Sequence, residues 1–293
     1  MPARLTERDR EIVLAVYHHR ALTSDQLALL FWGDVKANSR CRMRLRFLAE
    51  RKYLQRFDLP VARGAGSLPL VYFLGQAGAE MIADLHAVPP GELHWKPEHN
   101  RVGWTFLEHL LATNDVRVRI ERSAPIYGFQ LAEWLDDASL ASVSARETGL
   151  IMASSSRRRK SYPTPDGYFC LCREDSPKLH RAFVEADRGT ESLARWSEKI
   201  AKYVRYLHSD DFKQAYHARK PFRVLTVTTS AARMAHLKAV TEKLAGTTNW
   251  FWFSTFEAIR EPGSILLRPV WQMAGTQTSV CFPYPPADID LAA

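Results

Sequence analysis

Two short apolar runs, residues 167–172 and 180–186, constrain this chain most, because acids sit at their ends. Pro165-Asp166 leads into the first run, and Glu185 and Asp187 close the second. If the runs pair as a hairpin, the carboxylates of Asp166, Glu185 and Asp187 meet at one place. Residues 185 and 187 of a strand point the same way. Carboxylates held that close repel unless a cation or a proton lies between them. The pattern therefore predicts both a pair of strands and a place for chemistry.

The rest of the composition frames that expectation. The chain has 293 residues, of which 46% are hydrophobic, enough for one large domain or two ordinary ones. Its net charge of +8 points to a polyanionic partner, nucleic acid first, against the plainer reading of a merely basic protein. Cys41, Cys170, Cys172 and Cys281 have no metal-ligand spacing and read as reduced thiols of a cytoplasmic protein. There is no signal-peptide pattern and no apolar run of membrane-spanning length, so no membrane partner is expected. Neither an internal repeat nor an extended low-complexity segment interrupts the chain.

Residues 1–88 read as a DNA-binding module. A helix is expected over residues 6–19, capped by Thr6, with Ile12, Val13, Val16 and Tyr17 as its apolar stripe. A second begins at Thr23, whose hydroxyl can pair with Gln26 in a capping box, and ends at Gly33-Asp34. A third, over residues 36–51, buries Cys41, Leu45 and Leu48 and carries Arg40, Arg42, Arg44 and Arg46 around that stripe. The planar guanidinium fork suits phosphates and the guanine edge in the major groove. Strands over residues 53–57 and 70–74 follow, joined by a glycine-containing loop that holds Arg63. Three helices and then a hairpin are the order of a winged helix, whose third helix enters the major groove while the wing touches the flanking backbone. A solvated arginine face and a winged helix used for dimerisation are the alternatives. A helix over residues 76–85 closes the module.

Residues 89–101, rich in proline and glycine at their start, read as a linker, and His86, His94 and His99 nearby are too loosely spaced for zinc. Residues 102–293 then read as helix, three strands, helix, strand, with additions: an α/β (α+β) domain with a mixed sheet. The helix lies at 102–122, with Glu108 and Asp115 on one face, and a strand lies at 127–134. The amphipathic helix at 191–207 is followed by a strand at 222–228, a helix at 231–244, a strand at 250–253 and a possible strand at 265–271. Arg157, Arg158, Arg159 and Lys160 end a serine-rich run that reads either as a loop ordered against phosphate or as a solvated loop.

Pro-Asp before the second strand and Glu-x-Asp on the third, in this element order, resemble the PD-(D/E)xK nuclease-like fold. The whole chain resembles the replication-relaxation family. The matching residues include Leu5-Thr6-Glu7-Arg8-Asp9-Arg10, Leu22-Thr23-Ser24-Asp25-Gln26, Asn114-Asp115-Val116-Arg117, Glu185-Ala186-Asp187-Arg188-Gly189-Thr190-Glu191 and Trp250-Phe251-Trp252-Phe253. That resemblance implies binding of double-stranded DNA during replication or relaxation of a plasmid or mobile element. It also implies a restriction-endonuclease-like site in which Asp166 and Glu185, with Glu108 as a further ligand, bind Mg²⁺.

The lysine that normally stands two residues after the glutamate is Asp187 here. Asp187 is then a further metal ligand, or the lysine role has passed to Lys199 or Arg188, or catalysis has been lost and the fold kept for DNA. A structural version has Asp187 and Arg188 pairing locally at the start of the next helix. Two functions compete with a DNA-binding protein: an active Mg²⁺-dependent endonuclease, and an assembly factor that docks a protein of a replication, mobilisation or defence complex through an exposed Trp250–Phe253 segment. A homodimer on a palindromic site fits the module as well.

Overall fold

The computed structural model describes residues 4–58, 68–93, 95–137, 139–140, 163–208 and 223–283. Arg63, Arg157, Arg158, Arg159 and Lys160 lie outside the described residues. The chain divides into two compact units, Met1–Val118 and Arg119–Ala293. The division falls inside a long helix, C-terminal to the 89–101 segment.

In the first unit, α1 (Glu7–His19), β1 (Ala21–Thr23), α2 (Ser24–Trp32), α3 (Ser39–Glu50), β2 (Leu54–Phe57), β3 (Val71–Leu74) and α4 (Gln76–Leu85) follow one another, and α5 begins at Trp104. Capping explains the sharp helix starts. The Thr6 hydroxyl accepts from the Asp9 amide, and the Asp9 carboxylate accepts from the Thr6 amide at 2.5 Å. Thr23 and Gln26 repeat the arrangement at 3.0 and 3.1 Å. Asn38 caps α3, which therefore starts three residues later than the apolar pattern suggested. Such caps contribute about 1 kcal/mol each.

Ile12, Val13, Val16, Leu27, Cys41, Leu45 and Leu48 form one buried core with Leu54, Tyr72 and Leu74 of the hairpin. The strands order as β1-β3-β2, all antiparallel, so the short strand between α1 and α2 extends the expected hairpin to a three-stranded sheet. The first turn of α4 requires glycine. A Cβ on Gly78 would lie 2.3 Å from the Tyr53 carbonyl oxygen, because the helix backbone passes directly against the chain entering β2.

The second unit is a mixed sheet with two crossover helices. After α5 (Trp104–Ser123) come β4 (Gln130–Asp136), β5 (Gly167–Arg173), β6 (Ser176–Ala186), α6 (Leu193–Leu207), β7 (Arg223–Thr228), α7 (Ala231–Ala245), β8 (Phe251–Thr255), β9 (Trp271–Met273) and β10 (Ser279–Val280). The sheet order is β10-β9-β8-β7-β6-β5-β4. Only the β6–β7 and β7–β8 pairs are parallel, and they are the pairs whose connections contain α6 and α7. The mixed α/β class expected from the sequence is the class observed.

Trp196, Ile200 and Tyr203 of α6 pack on Tyr168, Phe183, Val224, Phe251 and Phe253 of the sheet. Burying a side chain of this kind stabilises by about 2 kcal/mol. The indole N–H of Trp196 donates to the Leu237 carbonyl and the Thr241 hydroxyl, tying α6 to α7.

Two expected strands move. Pro125–Tyr127 is a 3-10 turn, so β4 starts later than residue 127. Residues 265–270 are turns, because buried Leu267 has φ +54°, outside strand geometry, and the Trp271 indole donates back to the Ile265 carbonyl. Phe251, Trp252 and Phe253 are fully buried. Of the segment 250–253, only half-buried Trp250 is left partly open to solvent.

Candidate functional site

The β5–β6 register brings the first two acids together. Gly167 pairs with Val184, so Asp166 stands one step further out, opposite Glu185. The Asp166 amide donates to the Val184 carbonyl at 3.1 Å, and its carboxylate accepts from the Ala186 amide at 2.8 Å. Asp166, Tyr168 and Cys170 alternate toward the face that α6 covers, as do Phe183 and Glu185 on β6.

On that face Glu185 is 1% exposed and both its oxygens are held. The Tyr203 hydroxyl donates to Oε1 at 2.5 Å and the Lys199 ammonium to Oε2 at 2.7 Å. Lys199 also reaches Glu191 at 3.5 Å. Burial pushes the Glu185 carboxyl above the usual carboxylate range; the Lys199 charge opposes that shift and the Asp166 charge adds to it. Burial works against the charge of Lys199, but Glu185 and Asp166 outweigh it and hold the amine protonated. One ammonium thus stands among the carboxylates of Glu185, Asp166 and Glu191.

Asp187 has a different fate. Its carboxylate accepts two bonds from Arg233 of α7, each 3.0 Å, and one from the Thr228 hydroxyl at 2.5 Å. Burial would raise its pKa, but the Arg233 and Thr228 bonds outweigh it and hold the group below the usual range. Among the described residues no group of three or more His, Cys, Asp or Glu side chains gathers as metal ligands. The expected Asp166/Glu185/Asp187 cluster is therefore not formed, because a guanidinium from α7 occupies the third acid. Asp187 is paired, but its guanidinium comes from α7 and not from the start of the next helix, where local pairing was expected. The Arg233 guanidinium also donates to the Glu191 carbonyl at 2.6 Å.

A family model described as replication-relaxation matches residues 14–222. The chain belongs to the replication-relaxation family. No curated protein and no solved structure matches it. In this replication-relaxation chain the matched range holds Asp166, Glu185, Asp187, Lys199 and Tyr203, whereas Thr228 and Arg233 lie beyond it.

The first unit places the remaining residues. Glu108 lies on α5, on the first unit's side of the division. On α3, Arg40, Arg42 and Arg46 are exposed, together with Met43, and Arg44 is half-buried. Arg44 is committed elsewhere. Its guanidinium bonds both carboxylate oxygens of fully buried Asp9, donates to the Arg4 carbonyl at 2.9 Å and lies 4.3 Å above the Phe47 ring. Arg46 pairs with Glu50 one turn on, at 2.8 Å, both exposed. Among the described residues, no acid pairs with Arg40 or Arg42.

Sequence reasoning named Lys199 as one heir to the lysine role but missed Tyr203 and Arg233. The signal for Tyr203 was its spacing, four residues after Lys199 and so on the same helix face. No comparable signal marks Arg233, whose place depends on the β7–α7 crossover.

Proposed function

We propose that this chain is a double-stranded DNA-binding protein of a plasmid or mobile element, acting in replication or relaxation. In this reading the first unit is a winged helix and the second is a nuclease-like domain directed at a phosphodiester. The observation that carries the reading is the convergence of Asp166, Glu185 and Lys199 at the carboxyl end of β6, with the ammonium supplied from α6. Family membership, the helix-helix-helix-hairpin order and the exposed Arg40 and Arg42 support the DNA partner.

Two carboxylates beside one lysine fit a hard divalent cation such as Mg²⁺, which is often held through one or two carboxylates together with substrate phosphate. Asp166 and Glu185 would hold it, and bound there it would supply Lewis-acid polarisation of the phosphate and a more acidic water. The chain's own side chains do the rest. Tyr203 and Lys199 fix the Glu185 carboxylate, and the Lys199 ammonium offsets negative charge developing on the phosphate oxygens. Arg233 keeps Asp187 ionised but offsets its charge, so that the acid adds no net negative charge where the phosphate would approach.

The test is a nicking assay on supercoiled plasmid with Mg²⁺ or Mn²⁺, comparing the unaltered protein with Asp166→Ala/Glu185→Ala. The expected result is metal-dependent nicking that the double variant loses. Tight duplex binding without strand breakage under any metal leaves the DNA-binding part of the reading and removes the nuclease part.

A further inference from the structure

We propose that one face of α6, bearing Arg195, Lys199 and Lys202, is a track for the phosphate backbone of double-stranded DNA that leads away from the Asp166/Glu185 site. The inference rests on the proposed function and names the surface by which the second unit grips its substrate.

Arg195, Lys199 and Lys202 are spaced four and three residues apart, so they form one row along the helix. Trp196, Ile200 and Tyr203 turn the adjoining face into the core, which fixes the row at the edge of the buried surface. Lys199, at the centre, reaches Glu185. Arg195 is exposed and Lys202 half-buried. Seven residues of helix advance roughly 10 Å, about three base-pair steps at about 3.4 Å each, so the row spans several phosphates of one strand.

Among the described residues no ion pair holds Arg195 or Lys202, whereas Arg44, Arg46, Arg173, Arg233 and Lys238 each have an acidic partner; exposed Glu198 lies between the two cations on the same side of the helix. Arg195 also stands in the first turn of α6, which holds no acid. A cation there opposes the positive end of the helix dipole, where an anion is favoured. A bound phosphate satisfies both the dipole and the guanidinium. The first turn of α7 has the same Ser-capped start and an arginine at the same position, but there Arg233 has found its anion in Asp187.

The experiment is a salt titration of duplex binding, read by fluorescence anisotropy on a labelled 30-base-pair DNA, with the full chain. Arg195→Ala/Lys202→Ala is compared with the unaltered protein and with Lys243→Ala/Arg268→Ala, which removes the same charge elsewhere on the second unit. Loss of two phosphate contacts should lower the slope of log K against log salt by about 1.8, with the control slope unchanged. Arg195→Gln/Lys202→Gln repeats the test with longer side chains, and circular dichroism confirms that each variant is folded. An unchanged slope in the α6 variants, or an equal fall in the control, overturns the track while leaving the proposed function standing. If the unaltered protein fails to bind duplex even at low salt, the proposed function and the track fall together.

Discussion

At the residue scale, the arginines of α3 show that type and spacing do not settle what a side chain does. Arg42 and Arg44 are two apart on one helix, yet one is exposed and the other is fixed on buried Asp9. The Asp9 carboxylate closes the α1 capping box and anchors α3 to it, so it joins two elements through one group. Removing the cation would strand a buried charge. We expect Arg44→Ala to cost about 3 kcal/mol in urea unfolding, and Arg42→Ala to stay within about 0.5 kcal/mol. The pair also has a pH signature. Burial raises the Asp9 pKa, but bonds from Arg44 and Thr6 outweigh it and hold the carboxyl below the 3.8 of a free aspartate. Its stabilisation is therefore present above about 3.8 and is lost as pH falls through the lower folded value. Arg44→Ala should flatten that acid limb of the stability curve.

At the element scale, apolar periodicity and capping residues made most of the first unit legible. The two Thr capping boxes and the Cys41, Leu45, Leu48 stripe fall where local chemistry puts them, because a helix start depends on neighbours three residues away. What local chemistry could not show is how closely elements approach. Gly78 looks dispensable in the sequence of α4, but its missing Cβ admits the Tyr53 carbonyl. Gly78→Ala, which would normally favour a helix, should instead destabilise by about 1–3 kcal/mol through backbone collision, measured as a fall in the urea midpoint. A midpoint that rises would mean that α4 moves off β2 at little cost. In the second unit the same limit misplaced the strand at 265–271. Its apolar run is real, but Leu267 turns with positive φ and buries its side chain in a turn rather than in a strand.

At the scale of the whole molecule, the excess of positive charge is distributed unevenly in what it does. Several arginines and lysines are consumed by internal ion pairs, whereas Arg40, Arg42, Arg195 and Lys202 are among the described cations that no acid holds, and on α3 and α6 they are available to a polyanion. If the first unit contributes phosphate contacts, Arg40→Ala/Arg42→Ala should weaken duplex binding and lower its salt slope by about 1.8, independently of the α6 variants. Identical titrations for the double variant and the unaltered protein would remove α3 from the interface.

The sequence by itself determined the α/β class, the order of most elements, the helix caps and the pairing of Asp166 with Glu185. These depend on periodicity and on a hairpin register set by nearby residues. Only the tertiary structure decided which cation serves which acid. Lys199 and Tyr203 meet Glu185 across a helix–sheet contact, and Arg233 reaches Asp187 from 46 positions away in the chain. The physical reason is the pair of parallel crossovers, β6–α6–β7 and β7–α7–β8. Together they lay α6 and α7 on the same face of the sheet, so the two neighbouring acids at the end of β6 receive partners from different helices. No local pattern in the chain encodes that division.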